Sequence, residues 1–305
     1  MKLKEFIKNV YAPGLHIAYS GLWFLSLMGT MVLVQGCGSP WVFDMKVIGA
    51  VSTLFLVLFF LRVADELKDL EYDRLHNPDR PLVKGLVTKR DLYIYMAFSG
   101  GIVALINIWI SWYLLAIVIL DMLWGLILIT IEKSSQTHKN NMFLNLLITY
   151  PVNIALGIYT YVFFMEEYGA VSGKEGIMIV VAFAFAFLNY EFSRKIAWPH
   201  LSKPSERLYS NALGGVGASL ITLMFALIPL AILVFLIEPG SLRGVWKYAG
   251  WIILIPAVPA VYGFSRFIAE RNARKKYAVY GMGFLMLFYL TLCVLAFGAN
   301  TLSIK

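Results

Sequence analysis

The chain has 305 residues, of which 60% are hydrophobic and only 14% charged, with a mean hydropathy of +0.73. A water-soluble domain cannot carry that ratio on its surface, and the repeated apolar runs are long enough to cross a bilayer, so the composition reads as an integral membrane protein. The net charge of +8 sits in short loops between the apolar runs, which excludes nucleic-acid binding as the main activity.

Backbone amides in hydrocarbon must be paired within their own segment, so each long apolar run is read as a helix. In chain order the expected spans are 13–35, 46–66, 91–110, 112–132, 142–164, 176–196, 212–237, 246–268 and 277–300. They make an all-α membrane protein with nine transmembrane helices, read as a single domain over residues 1–305. Lys2, Lys4 and Lys8 precede the first run in the manner of a signal peptide, but that run is too long and no small-residue cleavage site follows it. Cys37 and Cys293 allow at most one disulfide and form no metal-ligand spacing.

Lysine and arginine fall unevenly on the two sides of these spans: 21 of the 26 lie on the side of the N-terminus. Because cytoplasmic loops hold the excess, the N-terminus is expected inside and the C-terminus outside, in an inner membrane. The larger, polar inner loops then hold the chemistry, at the cytoplasmic mouth.

The second span ends in RVADELKDLEYD, where Asp65, Glu66, Asp69 and Asp73 arrive as an apolar helix leaves the membrane. Spacings of three and four put Glu66, Asp69 and Asp73 on one helical face. Stacked like charges repel, and a divalent cation among them relieves the repulsion; an oxygen-only donor set suits magnesium, which usually keeps positions for water or phosphate. A solvated helix end, with Arg62, Lys68 and Arg74 pairing the acids, is the plainer alternative. The following NPDRPLVKGLVTKRDL brings Arg80, Lys84, Lys89 and Arg90 on a Pro- and Gly-kinked loop. Acids for a metal followed by cations for phosphate charge form a donor set suited to a metal diphosphate.

The segment DELKDLEYDRLHNPDRPLVKGLVT resembles the first signature of the UbiA superfamily of intramembrane prenyltransferases, N-D-x-x-D-x-x-x-D followed by R-P-L-x-x-G. Asp65 stands where that signature has Asn, Glu66 where it has the first Asp, and Asp69 and Asp73 match the other two; Arg80, Pro81 and Gly85 match the downstream part. The likeness implies one bundle around a central cavity open to the cytoplasmic side and the bilayer. It also implies Mg2+ as cofactor, a prenyl diphosphate and a lipophilic acceptor as small-molecule partners, and membrane lipid around the chain.

The sixth span ends in NYEFSRKIAWPH, where the resemblance implies a second acidic pair. The corresponding positions are Glu191 and Lys195, with Arg194 beside them. Glu191 is therefore read with Glu66, Asp69 and Asp73 as a metal ligand, at a second position that is weaker or replaced by Arg194 and Lys195. Lysine or arginine neutralises a leaving diphosphate as a metal does. Tyr190, Glu206 and Tyr209 are candidate substrate contacts from the same region.

Asp121 lies in the middle of the fourth span, where a carboxylate is costly and marks either a contact with acceptor or proton, or a hydrogen bond to Asn107, Asn145 or Asn153. Lys133, at the inner end of that helix, resembles a basic residue of the family; Glu132 is its candidate partner. His16, His76, His138 and His200 are scattered without i,i+4 pairing.

The resulting expectation is a Mg2+-dependent transfer of a prenyl group to a lipophilic acceptor. Asp65, Glu66, Asp69, Asp73, Lys133, Glu191, Arg194 and Lys195 carry the chemistry; Arg62, Arg80, Lys84, Asp121, Tyr190, Glu206 and Tyr209 hold the substrates. Internal cyclisation of the same prenyl cation, or lipid binding without turnover, are the alternatives.

Overall fold

The computed structural model describes residues 2–36, 39–134, 141–169, 172–202, 206–271 and 277–304. Cys37 and His138 lie outside the described residues, as do the side chains of Glu132 and Lys133. Among the described residues nine helical stretches are long and apolar enough to cross a membrane: Pro13–Gln35, Met45–Lys68, Lys89–Ile110, Trp112–Ile131, Met142–Tyr168, Lys174–Ser193, Ser210–Ser241, Trp246–Ala269 and Tyr277–Ala299. The protein is an all-α membrane protein, and each expected span has its counterpart within a few residues.

In chain order the helices are α1 (Lys2–Val10), α2 (Pro13–Gln35), α3 (Met45–Lys68), α4 (Leu70–His76), α5 (Lys89–Ile110), α6 (Trp112–Ser134), α7 (Met142–Thr149), α8 (Pro151–Tyr168), α9 (Lys174–Ser193) and α10 (Ser210–Ile237). One helical turn (Trp246–Ala249) and a 3₁₀ stretch (Gly250–Leu254) lead into α11 (Ala257–Ala269), and α12 (Tyr277–Ala299) follows. The fifth span is thus two helices, divided at Tyr150: Pro151 has no N–H to continue α7 but starts α8 well, since the first N–H groups of a helix have no intrahelical partner anyway.

Three local features depart from the expected pattern. The N-terminal KLKEFIKNV forms α1, with Phe6 buried against Phe59 at 6.2 Å and Lys2 paired to Asp91 at 2.9 Å. A two-stranded sheet joins β1 (Trp41–Phe43) to β2 (Leu302–Ile304). The helix carrying the acidic run breaks at Asp69 (φ −89°, ψ 7°), a bridge conformation. Glu66 therefore ends α3 while Asp73 sits in the short α4, and the three acids do not share one unbroken helical face.

The chain divides into two compact units. The first comprises Met1–Phe24 and Phe43–Val162, the second Leu25–Val42 and Phe163–Lys305. Within the first, α3 packs on α5 and α6. One of its interior polar groups is satisfied fully by its neighbours: Asn107 Nδ2 donates to Thr53 Oγ1 at 2.9 Å and to the Val103 carbonyl at 2.8 Å, while its Oδ1 accepts from Tyr159 Oη at 2.9 Å. Asp44 starts α3 by accepting from the Lys46 and Val47 N–H groups, and Thr88 and Asp91 close a reciprocal cap at the start of α5.

Within the second unit α9 packs on α10 and α12, and α11 on both α10 and α12. Asn189 Nδ2 donates to the Thr222 carbonyl at 2.7 Å, pinning α9 to α10. Phe183 meets Phe288 edge-on at 5.1 Å and stacks on Tyr289 at 5.7 Å. Gly281 of α12 lies so close to Ser193 that a Cβ there would collide with its side chain. Small residues allow this approach of helices in a membrane, where packing rather than water exclusion drives association.

Asn107→Ala should orphan the Tyr159 hydroxyl and the Thr53 pair at once, lowering stability by about 1–2 kcal/mol. Melting of the purified protein in detergent, against Asn107→Asp and wild type, checks this.

Candidate functional site

The first cluster is built around one carboxylate. Glu66, in the last turn of α3, is 2% exposed. Its Oε1 receives two guanidinium groups: Arg62, one helical turn earlier, and Arg80 Nη1 at 2.8 Å from the loop beyond α4. The i,i+4 spacing brings Arg62 to Glu66 without any tertiary help. Arg80 arrives because the chain turns just after α4, where its N–H donates to the Asn77 carbonyl at 3.1 Å; beyond it Gly85 takes a φ of +72°, and the Leu86 N–H donates to the Pro81 carbonyl at 2.9 Å. Gly is the residue that adopts that backbone without strain.

Arg80 also reaches the second carboxylate, with Nε 3.8 Å from Asp73 Oδ2. Asp73 is buried, and its Oδ1 accepts from Asn77 Nδ2 at 2.6 Å. Arg62, Glu66, Asp73, Asn77 and Arg80 thus form one connected polar group. Asp65 pairs with Lys68 at 3.0 Å at the rim of this region, and Asp69 is half-buried at the helix break. Lys84 pairs with the exposed Asp79 at 2.7 Å. That contact, chiefly its hydrogen bond and then its charge, holds the Asp79 carboxyl below the usual carboxylate range. Asn77 was not singled out by the sequence, although its position one turn after Asp73 is the spacing that makes the contact.

The fit of this cluster to a magnesium ion rests on Glu66 Oε2, which is buried and has no hydrogen-bond partner among the described residues. An unpartnered carboxylate oxygen in a dry site is costly, and a cation or a donor from a substrate would satisfy it. Among the described residues no three His, Cys, Asp or Glu side chains stand together at metal-holding distance. Magnesium does not need three, since it is commonly held by one or two carboxylates together with substrate phosphates and water. Glu66 and Asp73 fit that arrangement.

The second cluster lies in the other unit, at the C-terminal end of α9. Glu191, whose side chain is 10% exposed, accepts on both oxygens: Arg194 donates from Nε to Oε2 at 2.7 Å and from Nη2 at 2.5 Å, and Lys195 Nζ lies 2.5 Å from Oε1. Arg194 also sits 6.0 Å from the Tyr190 ring centre, and Lys195 6.0 Å from that of Tyr209. Tyr209 is buried, stacked on Phe192 at 3.9 Å, and its N–H donates to the Lys195 carbonyl at 2.9 Å. Burial, and then the Glu191 charge, push its phenol above the usual range, so it stays neutral. Glu206 is tied through its backbone to Asn211, its carbonyl accepting from Asn211 Nδ2 at 2.9 Å.

The remaining candidates separate from these two groups. Asp121 is buried in α6, and its Oδ2 has no hydrogen-bond partner among the described residues. Asn107, one of its expected partners, is engaged instead with Thr53, Val103 and Tyr159. Lys133 lies near the end of α6, its side chain outside those described.

No family model matches the chain, and no curated protein sequence matches it. Its backbone, however, matches solved structures over almost its whole length. The apo structure of a UbiA homolog from Aeropyrum pernix K1 superposes with a TM-score of 0.65 at 17% identity, covering 92% of this chain and 97% of that one. The protein has the UbiA fold. A digeranylgeranylglyceryl phosphate synthase, described in membranes, superposes with a TM-score of 0.59 at 17% identity, over 97% of this chain and 99% of that one. The UbiA fold thus accounts for more than nine-tenths of the chain, while the identity is too low to carry over any residue's role. The roles rest on the local geometry.

Removing both cations from Glu66, as in Arg62→Met with Arg80→Met, should destabilise the protein by about 3 kcal/mol or more, because an unpaired buried carboxylate is left behind. Adding Glu66→Gln should recover much of the loss, measured by melting in detergent.

Proposed function

We propose that the protein is a UbiA-superfamily prenyltransferase, a single functional domain over its 305 residues that moves a prenyl group from a prenyl diphosphate to a lipophilic acceptor within the membrane. The observation that carries this reading is the pairing, in one buried cluster, of Glu66 and Asp73 with Arg62 and Arg80, on a fold shared with a UbiA homolog and with a digeranylgeranylglyceryl phosphate synthase. Carboxylates and guanidiniums held together at the end of a membrane helix are the components that a metal-bound diphosphate requires. The ion pairs account for Glu66 Oε1 but leave Oε2 buried with no hydrogen-bond partner among the described residues, which supports a ligand at that oxygen.

When bound, Mg2+ would supply charge stabilisation to the departing diphosphate. Glu66 and Asp73 would hold it, with Asp69 and Asp65 adding negative charge at the same helix end. Arg80 and Arg62, already gathered on Glu66, turn to the phosphate oxygens, where planar guanidinium groups donate in pairs. The prenyl C–O bond breaks with its electron pair leaving on the diphosphate, and the allylic cation is attacked by a nucleophilic atom of the acceptor, which loses a proton. Apolar helices around the chain exclude water from the cation. The basic bias of the N-terminal side supports a reading in which this chemistry takes place at the cytoplasmic face of an inner membrane, with the N-terminus inside.

Incubating purified protein with prenyl diphosphates of several lengths, Mg2+ and a lipid extract, and following products by mass, tests the reading. Asp73→Asn and Glu66→Gln should each reduce diphosphate release by about 100-fold or more, and excess EDTA should abolish it. A cyclic hydrocarbon formed without acceptor would instead identify a cyclase, and full turnover by both variants would remove the cluster from the mechanism.

A further inference from the structure

We infer that the end of α9 is a metal-independent phosphate-binding site, in which Arg194 and Lys195 bind a phosphate group directly and Glu191 acts as their positioning residue rather than as a metal ligand. This deepens the prenyltransferase reading by assigning the second cluster to the same diphosphate substrate class, and rests on that reading for the identity of the ligand.

The argument begins with the saturation of Glu191. Both of its carboxylate oxygens are already taken by cations of its own helix end, Oε2 by Arg194 and Oε1 by Lys195. A metal arriving there would have to displace an ammonium or a guanidinium that the chain delivers at i,i+3 and i,i+4 spacing, where such pairs form most readily. One carboxylate against two fixed cations leaves the group with a net positive charge. An acidic metal site would need the opposite excess. The residues present do not fit a second magnesium, and the chemistry they do fit is an anion.

The exposure pattern points the same way. Glu191 is only 10% exposed at its side chain, whereas Lys195 is 31% and Arg194 48% exposed. The carboxylate is thus the buried floor of the group, and the cations are its more exposed part. Arg194 places Nε and Nη2 on Glu191 while nearly half of its side chain stays exposed. Lys195 has three donors and one contact to Glu191. Their freedom is reduced by the Tyr190 and Tyr209 rings beside them and by the Tyr209 N–H that holds the Lys195 carbonyl. Ordinary membrane-anchoring cations reach individually toward lipid headgroups. Here two cations are gathered on one buried acid, and gathering like charges costs free energy unless an anion is received.

Phosphate oxygens could come from a prenyl diphosphate or from an anionic lipid headgroup, and the experiment separates them. Binding of inorganic pyrophosphate to the purified full-length protein is measured by calorimetry in excess EDTA, in nanodiscs of zwitterionic lipid and in nanodiscs containing phosphatidylglycerol. The expected result is metal-free binding in both discs, weakened about 10-fold or more by Arg194→Gln, the size of one lost charge-assisted hydrogen bond. That variant leaves Lys195 on Glu191, so the acid stays paired, and its melting temperature checks the fold. Lys195→Met is the independent second variant and should weaken binding similarly.

Pyrophosphate binding that requires a divalent ion, or that both variants leave within about twofold of wild type, overturns the inference. Binding lost only in the phosphatidylglycerol discs overturns the assignment to substrate, because the headgroup is then the occupant. Failure to consume any prenyl diphosphate, with metal-free binding intact and sensitive to Arg194→Gln, would sink the transferase reading while the phosphate site stands. Turnover combined with strictly metal-dependent pyrophosphate binding would sink this site alone.

Discussion

The arrangement at the end of α3 depends on one constraint: a carboxylate taken out of water must be neutralised where it stands. Glu66 is buried at a helix end, and two guanidiniums converge on one of its oxygens. One comes from its own helix and costs little to place. The other comes from the turn after α4, closed by the Arg80 N–H on the Asn77 carbonyl, so the turn geometry and the charge balance are parts of one problem. Solving it also draws in Asp73, because the same Arg80 faces both acids. A cluster of alternating sign is then self-compensated before any substrate arrives, which limits repulsion among the acids while keeping their oxygens close to hand.

The two clusters answer that constraint differently. In the first, two acids and two arginines balance, and one carboxylate oxygen is left without a partner among the described residues. In the second, one acid holds two cations and no carboxylate oxygen is spare. A metal and an anion call for opposite local excesses of charge, and the two groups differ in that excess. The fold alone, shared with solved structures at 17% identity, would not distinguish the two groups. The side-chain charge ledger does.

Much of this was readable from the chain. Hydropathy marks membrane helices because the bilayer leaves few other solutions for backbone polar groups, and all nine spans followed from it. The pairs Arg62–Glu66, Glu191–Arg194 and Glu191–Lys195 follow from helical spacing. What spacing could not give was the break at Asp69, a bend set by a single residue's backbone angles, nor the reach of Arg80 across fourteen residues to Glu66. Asn77 escaped notice because an amide carries no charge to count. The strand pair of Trp41–Phe43 and Leu302–Ile304 joins segments far apart in the chain and has no local signature. Asp121 stands out in the sequence as a carboxylate within a span, and of its three candidate asparagine partners Asn107 is committed to Thr53 and Tyr159.

The tight approach of Gly281 to Ser193 carries its own consequence. Ser193 is the last residue of α9, and Arg194 and Lys195 follow it directly. A hydrogen atom on a neighbouring helix, by granting α9 its resting place, governs how far those two charged tips extend. A residue with no reactive group of its own thereby acts as a spacer for electrostatics, and the calibration of that end of the molecule is written in a position that an inventory of polar side chains would pass over.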